Sequence, residues 1–450
     1  MGPRWKELTY EYIERGFGKH YLISRNITTG KERLLVKEES DTFIYVDHVR
    51  FRKDLLKTHE IIWASERDGW RHLYLLDSKT GEVKNRITQG DWIVRGKPII
   101  DTATRSIIFS ASGKNANEDP YHLHWYKVNF DGSGFTSLTE ADGNHSIQFS
   151  PNKKSYVDTW SRIDHPPVYE LRRFSDGKLI SVLAKADVSG LLKQGRALPQ
   201  RFVCKDRNGR FDIWGVIFTP PNYDPEKKYP VIESIYAGPH GAFVSKNFAP
   251  WISYINELTE EGFIVVQIDG LGTNFRHRDF SHFSYKNLVD AGFPDRIKWI
   301  KAAAAKHPSM DISRVGIYGG SAGGQSSTAA VLHHGDFYKA AVSDCGCHDN
   351  RMDKIWWNEQ WMDWPVGKHY KEQSNITNAH KLTGNLMLTV GEIDKNVDPA
   401  STTQLVAALM KADKDFEYYV QPSGGHGSGE VAYLRRKRFE FFRRHLGSAR

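Results

Sequence analysis

Residues 315–324 read Val-Gly-Ile-Tyr-Gly-Gly-Ser-Ala-Gly-Gly, and few stretches restrict a chain more tightly. Val315 to Tyr318 is a short apolar run of the kind that forms a buried strand. Glycines then bracket one serine, and Gln325 to His333 reads as the start of a helix. Strand, tight turn and helix around G-x-S-x-G make a nucleophile elbow, which lifts the serine clear of a parallel sheet. The glycines follow from crowding, because a side chain at Gly319 or Gly323 would collide with the neighbouring strand or helix. The helix N-terminus behind Ser321 favours negative charge developing beside it. A nucleotide-binding loop is the other reading of a glycine-rich strand-to-helix turn. The chain holds no G-x-x-x-x-G-K-[ST], and G-x-G-x-x-G fails at this turn.

An elbow needs a sheet, and the sequence supplies one. From about Gln200 apolar runs alternate with helical stretches, the signature of a parallel sheet with crossover helices. The runs are Phe211 to Pro220, Pro230 to Pro239, Phe263 to Gly270, Arg314 to Gly320, Asn385 to Glu392 and Glu417 to Gly424. Asp295 to His307 and Ala400 to Lys411 read as two of the helices between them. The fold class expected for residues 201–450 is an α/β hydrolase, a mostly parallel sheet with helices on both faces.

Residues 1–186 carry a different pattern. Four segments, Tyr21 to Val36, Leu73 to Ile87, His124 to Leu138 and Tyr169 to Leu183, share an alternating strand followed by a polar glycine turn. The turn glycines Gly30, Gly81, Gly132 and Gly177 recur about every fifty residues, with second strands between them such as Ile61 to Ser65, Ile107 to Ser112 and Tyr156 to Ser161. Short strands repeating at this period predict an all-β partial propeller of about four blades, with a β-sandwich as the alternative. Residues 187–200, with Gly190, Gly195 and Pro199, show no strand period and read as the linker.

Composition narrows the function. A chain of 450 residues is long enough for two or three domains. The net charge of +8 is modest and spread over the length. The one dense basic cluster, Arg435 to Arg438 with Arg443 and Arg444, alternates with Phe439, Phe441, Phe442 and Leu446. That spacing predicts an amphipathic terminal helix with a solvated basic face, so no nucleic-acid partner is expected. Cys204, Cys345 and Cys347 make neither a disulfide framework nor a metal-ligand spacing, and no metal or cofactor is expected. The sequence shows no charged-then-apolar leader and no apolar run of membrane-spanning length, so no membrane partner is expected. An exported chain whose leader had been removed would look the same, and localisation stays open.

A serine hydroxyl attacks only when a base takes its proton, and that base needs an orienting acid. In an α/β hydrolase the chain order is serine, acid, histidine, with the last two on loops after later strands. His426 lies in Gly424-Gly425-His426-Gly427 after the last strand and is the natural base. Glu392, Asp394 and Asp398 all fall in the loop after the preceding strand, and fold logic does not choose among them.

Tyr236-Ala237-Gly238-Pro239, Asp269-Gly270-Leu271-Gly272, Gly319 to Gly324, Gly391-x-x-Asp394-x-Asn396-Val397 and His426-Gly427 together resemble the prolyl oligopeptidase family of serine peptidases. Within it the sequence is most similar to the dipeptidyl peptidase IV branch and its bacterial relatives. Ser65-Glu66-Arg67-Asp68-Gly69 and His72-Leu73-Tyr74 add a blade motif of the same group. The resemblance implies Asp394 as the acid, and an oxyanion hole made by the Tyr236 hydroxyl and the Ala322 N–H. It implies substrate contacts at Asn396 and Val397, and at Trp357, which falls where the peptidases carry a pocket tyrosine. Asp353 replaces another pocket tyrosine, and Ala322 stands where an aromatic commonly follows the nucleophile. The family is often exported.

In relatives of this branch, paired glutamates that clamp the substrate amine lie in early blades. This sequence starts after that region, and no equivalent pair is assigned; Glu38-Glu39 reads as part of a polar turn between strands. Four blades in an open stack would leave edges for a second copy of the chain to pair with. The expected function is a serine hydrolase cleaving peptide or peptide-like acyl bonds through an acyl-enzyme on Ser321. A carboxylesterase acting on small or plant-derived acyl esters is the alternative. Ser321, Asp394, His426 and Tyr236 together argue against a non-catalytic interaction protein.

Overall fold

The computed structural model describes residues 6–46 and 50–448. Four antiparallel sheets come first, each pairing its strands in sequence order. The first has three strands, Glu7–Ile13, Lys19–Asn26 and Glu32–Glu39. The second has Arg52–Leu55, Glu60–Ser65, His72–Asp77 and Val83–Arg86. The third has Ile93–Asp101, Ser106–Ser112, His124–Asn129 and Thr136–Ser137, and the fourth Asn144–Phe149, Ser155–Arg162, His165–Arg173 and Leu179–Lys185. This is the partial propeller that the fifty-residue period implies.

The recurring glycines close the last hairpin of each sheet with φ of 71° to 85°, a region open to glycine at no steric cost. They also set how closely neighbouring sheets approach. A Cβ on Gly81 would lie 2.1 Å from the Leu35 carbonyl oxygen, and one on Gly177 2.4 Å from that of Ser137. Leu35 and Ser137 are on the last strand of the preceding sheet, so the period in the sequence is also a period of sheet stacking. Alternate residues of one strand serve different neighbours. Ile61 and Trp63 pack towards Leu22, Leu35 and Val36 of the first sheet, whereas Ile62 joins Val94, Ile107 and Phe109 of the third. In the first sheet the Gly30 hairpin joins the second and third strands instead of the third and fourth. By that register, the first-strand position has no counterpart among the described residues. Glu38 and Glu39 end a strand and do not lie in a turn. Glu38 is held by the Trp63 indole at 3.0 Å, the Ser65 hydroxyl at 2.8 Å and Arg67 at 2.6 Å.

The second half is one eight-stranded sheet. Its strands are β1 (Gln200–Lys205), β2 (Asp212–Phe218), β3 (Tyr229–Ser234), β4 (Ile264–Asp269), β5 (Met310–Gly320), β6 (Tyr338–Asp344), β7 (Asn385–Gly391) and β8 (Glu417–Gln421). They lie in the order β1-β2-β4-β3-β5-β6-β7-β8, antiparallel at β1-β2 and β2-β4 and parallel from there on. The helices that matter here are α1 (Ser253–Glu260), α2 (Phe293–Lys306), α3 (Ala322–His333), α4 (Ile355–Met362), α5 (Pro399–Lys411) and α6 (Ala432–Leu446). Continuous apolar runs arise because both faces are covered. Ile217, Val231 and Val266 pack on one face with Trp299 and Ile300 of α2 and Leu405 of α5. Val216, Ile232 and Val265 pack on the other with Ile255 and Leu258 of α1 and Phe441 and Phe442 of α6.

A buried ion pair crosses the first of these faces. Glu233 on β3 meets Arg296 of α2 at 2.7 Å and accepts the Tyr338 hydroxyl at 2.7 Å, while Arg296 also donates to the Ile268 carbonyl. With both carboxylate oxygens engaged, much of the desolvation cost is met locally, and removing one partner alone would strand a buried charge.

Helix α6 departs from the sequence reading at one residue. Arg438 is buried, paired with Glu430 at 2.8 Å and stacked 3.9 Å over the Tyr318 ring. The other cations on this helix meet carboxylates: Arg435 with Glu257, Arg436 and Lys437 with Glu440, Arg443 with Glu261 and Arg444 with Glu417.

The two halves are tied together beside α4. Arg15 grips Glu359 of α4 with three contacts of 2.6–2.8 Å, and the Gly16 N–H adds a fourth at 2.8 Å. Phe43 and Tyr45, on the segment leaving the first sheet, pack against Trp361 with ring centroids 4.8 and 5.4 Å apart. The Tyr45 hydroxyl donates to the Pro239 carbonyl at 2.7 Å.

Candidate active site

Strand β5 runs straight into α3, and Ser321 sits at the junction with φ 59° and ψ −121°. A non-glycine residue in this region costs on the order of 1–3 kcal/mol, so the surrounding structure must hold it there. It does so by close packing. A Cβ on Gly319 would lie 2.4 Å from the Gly323 carbonyl oxygen, and one on Gly323 would lie 2.4 Å from that of Ile235. The Ser321 N–H donates to the Asp344 carbonyl at the end of β6, at 2.9 Å. The side chain is thereby fixed at the C-terminal edge of the sheet, with α3 pointing its N-terminus at the same place.

The loops after β7 and β8 bring Asp394 and His426 together. His426 Nδ1 and Asp394 Oδ2 are 2.7 Å apart. The other carboxylate oxygen accepts the N–H groups of Asn396 at 2.8 Å and Val397 at 3.1 Å, so the buried acid is held from both sides. The two other carboxylates of that loop have different work. Asp398 caps α5 through the Ala400 N–H at 2.8 Å, and Glu392 accepts the Ser423 N–H at 2.8 Å. Asp344 anchors the histidine loop, accepting from Thr389 Oγ1 at 2.8 Å and from the Gly429 N–H at 3.0 Å.

Ser321 and His426 face one cavity of about 510 Å³, shared with Tyr236, Cys345 and Asn396. The serine hydroxyl and His426 Nε2 are not hydrogen-bonded; Nε2 stands 4.0 Å from the Cys345 thiol. Catalytic hydrogen bonds in unliganded sites often tighten only with substrate in place. Burial pushes the Tyr236 hydroxyl above its ordinary pKa, and its contact with the Ser321 hydroxyl works against that rise. The Tyr236 hydroxyl thus stands directly beside that of Ser321. Ala322 opens α3, where backbone N–H groups have no intrahelical partner.

A second cavity of about 200 Å³ shares Tyr236, Ser321 and Asn396 with the first and is walled by Trp356, Trp357, Asp353, Lys354 and Val397. Trp357 packs against both His240 and Trp361, with centroids 4.8 and 5.8 Å away. Asp353 meets the Lys354 ammonium at 2.6 Å, and that ammonium also donates to the Asn396 carbonyl at 2.5 Å. Of the residues the sequence puts forward, Ser321, His426, Tyr236, Ala322, Asn396, Val397 and Trp357 line these two cavities, and Asp394 lies behind His426. Lys354 and Cys345 were not anticipated. Cys345 follows β6, whose sequence Tyr-Lys-Ala-Ala-Val-Ser-Asp is short and rich in small residues and lacks a clear strand signal.

An α/β-hydrolase sheet with a serine at its elbow, and a histidine–aspartate pair on the two following loops, defines the general class. Comparison with known families narrows it. Residues 250–449 match the model of the prolyl oligopeptidase family, and residues 3–167 match that of the dipeptidyl peptidase IV (DPP IV) N-terminal region. The chain belongs to the prolyl oligopeptidase family, on its dipeptidyl peptidase IV-like branch. Human dipeptidyl peptidase 8 is 26% identical over 437 residues, covering 87% of this chain and 48% of that protein. Mouse prolyl endopeptidase FAP is 24% identical over 403 residues, covering 86% of this chain and 51% of that protein. The chain thus spans about half the length of the curated relatives it matches. The crystal structure of Porphyromonas gingivalis dipeptidyl peptidase 4 superposes with a TM-score of 0.84 at 24% identity, over 98% of this chain and 62% of that one, a likeness of fold.

Proposed function

We propose that this chain is a serine peptidase, with Ser321 as nucleophile, His426 as base and Asp394 as the orienting acid. The observation that carries the reading is the 2.7 Å contact between His426 Nδ1 and the buried Asp394, on a histidine that shares its cavity with Ser321. In this mechanism His426 Nε2 takes the Ser321 proton as the oxygen attacks the scissile carbonyl. The Tyr236 hydroxyl and the Ala322 N–H receive the tetrahedral oxyanion, each worth roughly 3 kcal/mol by the measured cost of such donors. His426 then returns the proton to the departing amine, and water repeats the sequence to release the acyl group. Asn396, Val397 and Trp357 contact the substrate on the acyl side.

In this reading residues 1–186 are a partial propeller, 187–200 a linker and 201–450 the catalytic part. The last strand of the fourth sheet, Leu179–Lys185, is exposed along its whole length and gives a second copy an edge to pair with. Sedimentation at a range of concentrations tests that contact.

The activity is tested with a panel of aminoacyl-proline amides, N-blocked peptide amides and short-chain aryl esters. Wild type and Ser321→Ala are compared, and labelling by a fluorophosphonate probe is followed in both. Amide cleavage and labelling that both vanish in Ser321→Ala are expected. Labelling and ester cleavage with no amide turned over would overturn the peptidase reading in favour of a carboxylesterase.

A further inference from the structure

Cys345 takes no part in the chemistry proposed above, yet its thiol lies beside the reactive nitrogen. Its Sγ is 4.0 Å from His426 Nε2, and Sγ, a His426 nitrogen and an Asp394 oxygen all lie within 4.8 Å of one another. With Nδ1 turned to Asp394, Nε2 carries the free lone pair of a neutral imidazole. A soft sulfur and an imidazole nitrogen facing across one gap are the donor set that zinc and cadmium prefer over magnesium or calcium.

The gap has nearly the right width. Zinc bound at about 2.3 Å from sulfur and about 2.05 Å from nitrogen, with a tetrahedral angle between them, holds its two ligands about 3.5 Å apart. Closing from 4.0 Å needs a shift of about half an ångström. The His426 side chain, still about a quarter exposed, can supply it by a small ring rotation, whereas Cys345 is buried and fixed. Asp394 completes a carboxylate–histidine–metal relay, the second layer that orients a ligating imidazole and raises its basicity. The remaining two positions open onto the cavity of about 510 Å³ and fall to water.

We propose that Cys345 and His426 form an inhibitory site for a thiophilic divalent cation, Zn²⁺ or Cd²⁺, inside the active site. The metal forms bonds to Sγ and Nε2, and the thiol proton leaves to solvent. No oxidant is needed and removal of the ion restores the thiol. With its lone pair on the metal, His426 cannot accept the Ser321 proton, so the ion competes directly with turnover. The inhibition rests on His426 being the catalytic base; the binding itself does not.

Two measurements on the full chain separate these. Cadmium titration is followed by the ultraviolet thiolate-to-metal charge-transfer band in wild type, Cys345→Ser, Cys347→Ser and His426→Ala. Zinc inhibition of whichever substrate is turned over is measured for wild type and the two cysteine variants, each relative to its own uninhibited rate, with chelator added afterwards. One high-affinity band is expected in wild type and Cys347→Ser, with apparent affinity at least tenfold weaker in Cys345→Ser and His426→Ala. Zinc inhibition should be reversed by chelator and need at least tenfold more metal in Cys345→Ser. A band and inhibition that are unchanged in Cys345→Ser would overturn the site. So would a band lost in Cys347→Ser instead. If the Cys345-dependent band forms but zinc leaves turnover untouched, the metal site stands and the role of His426 as base falls.

Discussion

Replacing Asp394 with Asn isolates the part of the site that orients the histidine. The asparagine carbonyl can keep the place of Oδ1, where it accepts the N–H groups of Asn396 at 2.8 Å and Val397 at 3.1 Å. That choice points the amide NH₂ at His426 Nδ1, currently 2.7 Å from Oδ2. Two donors then face each other, and the imidazole must move its proton to Nε2 to accept from the amide. Nε2 so protonated cannot take the Ser321 proton. The opposite amide orientation would aim the NH₂ at two backbone donors, losing two hydrogen bonds worth about 1 kcal/mol each, so the first is preferred. A wrong tautomer in an otherwise intact triad costs roughly 10⁴ in turnover, or about 5.5 kcal/mol. Folding stability should change by less than about 1 kcal/mol, because the loop keeps both N–H contacts. Asp394→Ala differs, leaving the buried Val397 N–H unmet at a cost of about 1–3 kcal/mol, whereas the part-buried Asn396 N–H can turn to water. The assay is kcat and kcat/KM on a chromogenic amide together with urea unfolding of both variants. Asp398→Asn, which exchanges one good helix cap for another, is the control. An Asp394→Asn enzyme with more than a tenth of wild-type kcat, or a crippled Asp398→Asn, would refute the tautomer argument.

Tyr236→Phe should lower kcat about a hundredfold with little change in KM, since the phenol acts on the developing oxyanion; equal kcat would remove Tyr236 from the mechanism. Gly323→Ala should fail to yield soluble protein or lower the urea midpoint sharply, because its Cβ would lie 2.4 Å from the Ile235 carbonyl oxygen; a midpoint within error of wild type would contradict the packing described at the elbow. Burial pushes the Glu66 carboxyl up to about 7 from an ordinary 4.5, with Arg71 and Arg278 opposing the rise. The folded chain therefore holds this proton to higher pH than the unfolded chain, so stability falls as pH rises from about 4.5 to about 7 and then levels. Glu66→Gln should flatten that part of the curve, and an unaltered slope in urea midpoints across the interval would show that Glu66 is not its source.

The elbow, the parallel sheet and the repeating sheets were legible because each imposes a local rule. Gly319 and Gly323 are dictated by carbonyl oxygens less than 3 Å from where a Cβ would stand, and such crowding leaves no other residue type. The glycine period was equally plain, although its second role in sheet stacking rests on contacts between segments some fifty residues apart. The choice among Glu392, Asp394 and Asp398 was not local. All three sit in one loop with suitable chemistry, and only the fold shows that Asp398 caps a helix while Asp394 turns towards the next loop. Strands β1 and β6 escaped because neither has an unbroken run of branched apolar residues. β6 relies on Ala340, Ala341 and Ser343 to fit between covered faces. Arg438 misled for a related reason, since an arginine in a basic run reads as solvated until an aromatic ring and a carboxylate are seen to enclose it.

The grip of Arg15 on Glu359, and of Tyr45 on the Pro239 carbonyl, bears on how such chains can diversify. Glu359 shares a helix with Trp357, and Pro239 lies three residues beyond Tyr236, so the first sheet reaches both the wall of the smaller cavity and the loop that carries the phenol. Recombination that exchanged the β-rich half for that of a distant homologue would loosen both at once, however well each half folded by itself. A transplanted front half would have to bring an arginine and two aromatics at matching places, or the recipient would inherit a nucleophile without its surroundings. Selection on substrate preference can therefore act through residues more than two hundred positions from the serine, and a library confined to residues 201–450 would leave that lever untouched.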